Sequence, residues 1–167
     1  MEKIPIPKLP WNIYWINLDR RPDRKKHMEN ILINNKNNNY RIQAVDFKNN
    51  FHPYTVIRHP KLNGGEHGCI CSHIKALNYF LETSIDKYCF IVEDDLVSEY
   101  SNYWLEEHKD LLKNDNYEIL QLQTTSNIYE KNENKMVPIM KYGTGATIYK
   151  IKRNIAEIIV KNHFNKK

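Results

Sequence analysis

Long hydrophobic runs are missing from this 167-residue sequence: no uninterrupted apolar stretch approaches twenty residues and the mean hydropathy is −0.71, which excludes a spanning helix. The N-terminal segment MEKIPIPKLPW has neither the apolar core nor the small-residue cleavage site of a signal peptide, so a soluble, cytoplasmic setting is expected. Cysteine is scarce. Cys69, Cys71 and Cys89 cannot all pair, which argues against a disulfide scaffold and makes free thiols the expectation. With only 5 glycines and 7 prolines there is no Gly/Ser or Pro-rich linker, and neither a repeat nor a composition break divides the chain. A single domain over residues 1–167 is therefore expected, with enough length to bury a core. An excess of one charge is also missing. The 25 Lys+Arg against 20 Asp+Glu give a net +5, but the lysines are scattered and no aromatic-basic motif stands out, so a nucleic-acid partner is not expected.

What is present alternates. The β-branched and aromatic run Asn12–Asn17 predicts a buried strand. Pro22 suits a first helical turn, and Met28, Ile31 and Leu32 continue that helix to an Asn-rich turn. Tyr40–Val45 predicts a second strand, and 46–66 reads as irregular, punctuated by Pro53, Pro60 and Gly64-Gly65. From Gly68 a helix is expected, since Ile70, Ile74, Leu77 and Leu81 recur at helical spacing. Tyr88–Val92 is a short continuous apolar run, the mark of a strand covered on both faces. A helix over 101–113, strands at Tyr117–Gln123 and Ala146–Ile151, an edge pairing at Met136–Met140 and a closing helix around Ile155, Ile158 and Ile159 complete the pattern. Strands alternating with helices predict a three-layer α/β/α domain with a mixed, mainly parallel sheet.

Chemistry concentrates where strands end. Glu93-Asp94-Asp95 follows the buried run directly, and in open α/β sheets ligands sit beyond the carboxyl ends of strands. Three adjacent carboxylates repel one another unless a cation compensates them, and an oxygen-rich set suits Mg²⁺ or Mn²⁺ bridging to phosphates; an acidic turn or a helix cap is the alternative. Arg20, Arg21 and Arg24, after the first strand, are placed to reach phosphate oxygens or to pair with Asp19 and Asp23. In Gly64-Gly65-Glu66-His67-Gly68-Cys69-Ile70-Cys71-Ser72-His73, the glycines allow close backbone approach. Cys69, Cys71 and His73 make only a weak zinc signal because no second ligand pair follows, and His73 reads first as a packed, hydrogen-bonded side chain. Gly143-Thr144-Gly145-Ala146 lacks the Gly-Lys-Ser/Thr of a phosphate-binding P-loop and by itself is a turn.

Taken in order, these segments resemble glycosyltransferase family 25, which includes lipooligosaccharide glycosyltransferases and procollagen galactosyltransferase domains. The stretches that carry the resemblance are Ile16–Arg20 with Asp23-Arg24, Ala44-Val45-Asp46, Gly65-Glu66-x-Gly68-Cys69-x-x-Ser72-His73, Phe90–Asp95 and Gly143–Ala146, spanning roughly residues 11–160. The resemblance implies a GT-A-like domain and transfer of galactose or glucose from a UDP-sugar to a hydroxyl on a glycan or hydroxylated protein, with Mn²⁺ or Mg²⁺. It implies Glu93 and Asp95 as metal ligands and Glu66 or Asp94 as catalytic base. Asn17, Leu18, Arg20, Arg24 and Asp46 would line the nucleotide pocket, and Gly65, Glu66, Ser72 and His73 the donor-sugar side. It further implies that the chain stops short of the C-terminal part typical of the family. The alternative that follows is a catalytically incomplete module that binds a nucleotide sugar without transferring it.

Overall fold

A computed structural model describes residues 5–47, 62–98, 109–124 and 146–165. The expected edge pairing at Met136–Met140, the Gly143-Thr144-Gly145 turn, Pro53, Pro60 and the 101–108 part of the expected helix lie outside the described residues. The elements run β1 (Ile13–Asn17), α1 (Pro22–Ile31), a 3-10 turn (Ile33–Asn35), β2 (Asn39–Gln43), α2 (Gly64–Thr83), β3 (Tyr88–Glu93), α3 (Lys109–Lys113), β4 (Ile119–Thr124), β5 (Ala146–Lys152) and α4 (Arg153–Phe164).

All five residues of β1 are buried, which explains why Ile-Tyr-Trp-Ile-Asn shows no polar alternation. β1 pairs in parallel with β2 on one side and β3 on the other; β5 pairs antiparallel with both β3 and β4. The order is β2-β1-β3-β5-β4, so four strands share one direction and β5 alone is reversed. This is the expected α/β class with a mixed sheet, consistent with a GT-A-like domain, although its pairings divide evenly into two parallel and two antiparallel rather than being mainly parallel.

Alternate side chains of β1, β3 and β5 feed two separate cores. Ile13, Trp15, Phe90, Val92, Leu120 and Ile148 pack against Met28, Ile31 and Leu32 of α1 and its end, and against Leu112 of α3. Tyr14, Ile16, Cys89, Ile91 and Ile151 pack on the opposite face against Ala76, Leu77 and Phe80 of α2 and Ala156 and Val160 of α4. The sheet is thus covered on both sides, and each fully buried Ile, Leu, Val or Phe contributes about 1.5–3 kcal/mol of transfer free energy.

Two cations tie packed elements together by satisfying helix-terminal carbonyls. The Arg153 guanidinium, at the start of α4, donates to Ser84 O at 2.6 Å and Leu81 O at 2.9 Å at the end of α2. Lys150, fully buried in β5, donates to Leu112 O at 2.7 Å and Asn114 O at 3.0 Å, with its ammonium 4.0 Å from the Tyr88 ring centroid. Burial lowers the Lys150 pKa from its ordinary value.

One helix boundary differs from the sequence expectation. α2 begins at Gly64, not Gly68, because Asn63 caps it: Asn63 Oδ1 accepts from Glu66 N–H at 2.9 Å, and Glu66 Oε2 accepts from Asn63 N–H at 2.8 Å. This reciprocal capping box satisfies otherwise orphaned donors and outweighs the low helix propensity of the glycine pair. The strand after α1 is likewise shorter than expected, ending at Gln43, so that Ala44, Val45 and Asp46 belong to the loop that follows it.

Candidate active site

β1 leads through α1 to β2 on one side, whereas β3 lies on the other side of β1 after a second crossover through α2. The carboxyl ends of β1 and β3 are therefore a topological switch point, where crossovers on opposite faces leave a crevice. A cleft of about 370 Å³ occupies it. Its floor is Ile16, Asn17 and Leu18 at the end of β1, with Glu93 and Asp94 at the end of β3. Arg20 and Arg24 form one wall, while Val45–Phe47 and the first turns of α2 form the other.

The second wall depends on missing side chains. A Cβ on Gly68 would meet Val45 O at 2.8 Å, and one on Gly64 would meet the Phe47 ring at 2.6 Å, so the loop after β2 can lie this close to α2 only over glycine. Ser72 locks the same contact, accepting from Val45 N–H at 2.8 Å and donating to Gly68 O at 2.6 Å. Arg20, the cation at the rim, donates to Asp46 at 2.8 Å.

A polar network holds the floor. Asn17, buried at 1% exposure, donates to Asp94 Oδ2 at 2.7 Å and to Arg21 O at 3.2 Å, while its Oδ1 accepts the Arg41 guanidinium at 2.8 and 2.9 Å. Arg41 continues to Asp19 at 2.6 Å. The other Asp94 oxygen accepts from Arg24 at 2.7 Å, and Arg24 also reaches Asp95 at 3.3 Å. Both Asp94 oxygens are thus engaged. Asp95 titrates above the ordinary carboxylate range because burial disfavours its charge and Glu93 and Asp94 repel it, with Arg24 offsetting only part of this.

Glu93 turns instead toward α2. Its Oε1 lies 3.2 Å from His73 Nε2, and His73 Nδ1 lies 3.0 Å from the Tyr149 hydroxyl of β5. Burial works against a charged His73, but hydrogen bonds to Cys69 and Glu93 outweigh it and raise its pKa to about 9. Tyr149 is pushed well up by burial, so its hydroxyl keeps its proton.

Of the residues singled out from the sequence, Asn17, Leu18, Arg20, Arg24, Asp46, Gly65, Ser72, His73, Glu93 and Asp94 all line this cleft. Glu66 and Asp95 stand outside its lining, Glu66 because its carboxylate closes the α2 cap. Sequence reasoning missed Arg41, Phe47 and Tyr149, whose positions beside the site arise from pairing between distant segments and carry no local signal. The Asn63-x-x-Glu66 cap was a signal that could have been used.

Fold and cleft together define an α/β domain with a small-molecule site at a topological switch point. The family model of glycosyltransferase family 25 (LPS biosynthesis protein) matches residues 11–166, and the chain belongs to that family. Membership makes it a glycosyltransferase-family protein, one that works on a donor and an acceptor. No curated protein gives a significant match. Among the described residues, no helix is long and apolar enough to cross a membrane.

Proposed function

We propose that this protein transfers a hexose, galactose or glucose, from a UDP-sugar to a hydroxyl of a glycan or hydroxylated protein. The observation that carries this reading is the juxtaposition, in one cleft at the switch point, of Arg20 and Arg24 with the Glu93-Asp94 strand end. Cationic guanidiniums suit a diphosphate, and the carboxylates suit the cation that accompanies it.

In this reading Asn17, Leu18, Arg20 and Asp46 border the nucleotide, Arg24 faces its phosphates, and Gly65, Ser72 and His73 border the donor sugar. The donor set is oxygen-rich, as a hard divalent ion prefers, and Asp95, raised first by burial and then by repulsion from Glu93 and Asp94, is the carboxylate whose charge a cation would relieve. Glu93 and Asp95 would hold Mn²⁺ or Mg²⁺, which supplies neutralisation of the departing diphosphate when bound. The acceptor oxygen bonds to the anomeric carbon, the carbon–oxygen bond to the diphosphate breaks, UDP leaves, and the hydroxyl proton passes to a carboxylate. Asp94, with both oxygens engaged and one paired to Arg24, is suited to positioning Arg24 and Asn17. Glu66, outside the cleft lining with Oε2 closing the α2 cap, is suited to holding the cleft wall rather than to taking the proton.

UDP release from a panel of UDP-sugars with Mn²⁺ tests the reading. Wild type is expected to release UDP when acceptor is present, and Asp95→Ala to lose at least about tenfold of that rate, which is 1.4 kcal/mol of barrier. Glu66→Gln keeps a capping residue and should retain both UDP binding and turnover, whereas loss of turnover with binding intact would mark Glu66 as the base. UDP binding with no release from any donor, acceptor included, would instead establish a nucleotide-sugar-binding module.

A further inference from the structure

We propose that Cys69, His73 and Glu93 form a three-ligand site for a borderline divalent transition metal of the Zn²⁺ class, with its fourth position open to the cleft. The sequence supplies half of it. Cys69 and His73 are four residues apart on α2, so the thiol and imidazole share one helix face. The third ligand comes from the end of β3, and one ligand atom from each of the three residues lies within 4.8 Å of the others. Tetrahedral coordination at Zn–N and Zn–O of about 2.0–2.2 Å and Zn–S of about 2.3 Å needs ligand atoms roughly 3.3–3.7 Å apart. The His73 Nε2 to Glu93 Oε1 separation of 3.2 Å is already close to that, so small side-chain rotations complete the set.

Two further features fit a metal. Tyr149 Oη, 3.0 Å from Nδ1, orients the ring and leaves Nε2 facing Glu93, the outer-partner arrangement typical of ligating histidines. All three ligands line the cleft and Cys69 is exposed, so an ion has an entry path and room for a water or ligand oxygen. Cys71 takes no part: it is fully buried, two residues from Cys69 and off its face. The donor chemistry sets selectivity, because a thiolate with an imidazole favours Zn²⁺ or Co²⁺ over Mg²⁺. The triplet Glu93-Asp94-Asp95 forms no comparably compact group among the described residues.

This site goes beyond the hexose-transfer reading, whose hard ion at Glu93 and Asp95 would share the Glu93 carboxylate, so the two ions are alternatives there and metal binding alone tests this one. The full chain, stripped with chelator, is titrated with Zn²⁺ by equilibrium dialysis and with Co²⁺ by absorption. One Zn²⁺ per chain is expected, together with a thiolate-to-cobalt charge-transfer band and the intense visible bands of tetrahedral Co²⁺. Cys69→Ser should abolish the charge-transfer band, and His73→Gln should weaken binding at least tenfold. Cys71→Ser should leave both unchanged, and Tyr149→Phe should weaken binding about tenfold as a lost outer partner. Absence of the band in wild type, its survival in Cys69→Ser, or its loss in Cys71→Ser overturns the proposal. Should His73→Gln fail to fold, the Cys69→Ser result decides, since that side chain is exposed. UDP affinity in Mn²⁺ is measured in parallel: unchanged affinity in Cys69→Ser leaves the transfer reading standing whatever the zinc result.

Discussion

Asn17 shows how one side chain can organise a site it hardly exposes. Its amide links the ends of β1 and β3 through Asp94 and holds Arg41 of β2 through its carbonyl oxygen, so three strands meet at one residue. Asn17→Ala leaves a buried carboxylate and a guanidinium each short of a partner. The expected cost is about 1–3 kcal/mol, seen as a lower urea midpoint with unchanged slope. Tyr88 supplies a pH-dependent counterpart. Burial first, and then the hydrogen bond to Asp115, raise its hydroxyl from 10.0 to about 12, with Oη donating to Asp115 Oδ1 at 2.5 Å. A raised folded-state pKa means the stabilisation is complete below pH 10 and disappears as pH climbs through about 12. Wild type should therefore lose more stability than Tyr88→Phe between those values in denaturation series. The residue types at both positions were visible in the sequence, but their partners, 77 and 27 positions away, were not.

At the scale of elements, α2 has the most to explain, because its first turns both build the cleft wall and carry two unlike kinds of residue. Gly64, Gly65 and Gly68 are poor helix formers, and Asn63 with Glu66 fixes the start that they weaken. Gly68→Ala gains helix propensity but drives a methyl to 2.8 Å from Val45 O. The clash is expected to win, destabilising by about 1–3 kcal/mol as an overpacked position. Gly65→Ala meets only Asn63 Oδ1, at 3.3 Å, and should be close to neutral; paired thermal melts separate the two. The periodicity Ile74, Leu77, Leu81 made this helix legible in the sequence. Its true start was not, since a glycine pair reads as punctuation until the cap that overrides it is recognised.

The whole molecule is a sheet buried on both faces, with its cleft where β1 and β3 part between two oppositely placed crossovers. Because β1, α1, α2 and β3 all border that cleft, a ligand seated there braces most of the domain at once. UDP at one hundred times its dissociation constant should stabilise the fold by about 2.7 kcal/mol, read as a rise in melting temperature. Arg24→Ala should reduce that rise by weakening UDP binding, and no UDP-dependent shift in wild type would remove the nucleotide from the proposal.

The sequence by itself determined the α/β class, the buried strands that seed the sheet and the acidic strand end. These follow from hydrophobic period and from short-range chemistry, both written along the chain. It also carried the family, through motifs in fixed order. Only the tertiary structure decided how those motifs divide their work. It turned Glu93 away from its acidic neighbours toward His73, engaged both oxygens of Asp94 with Asn17 and Arg24, gave Glu66 a helix to cap, and separated Cys69 from Cys71 by face. The reason is geometric: residues adjacent in a strand or helix point in different directions, and what each one meets is set by elements that pack against it from far along the chain.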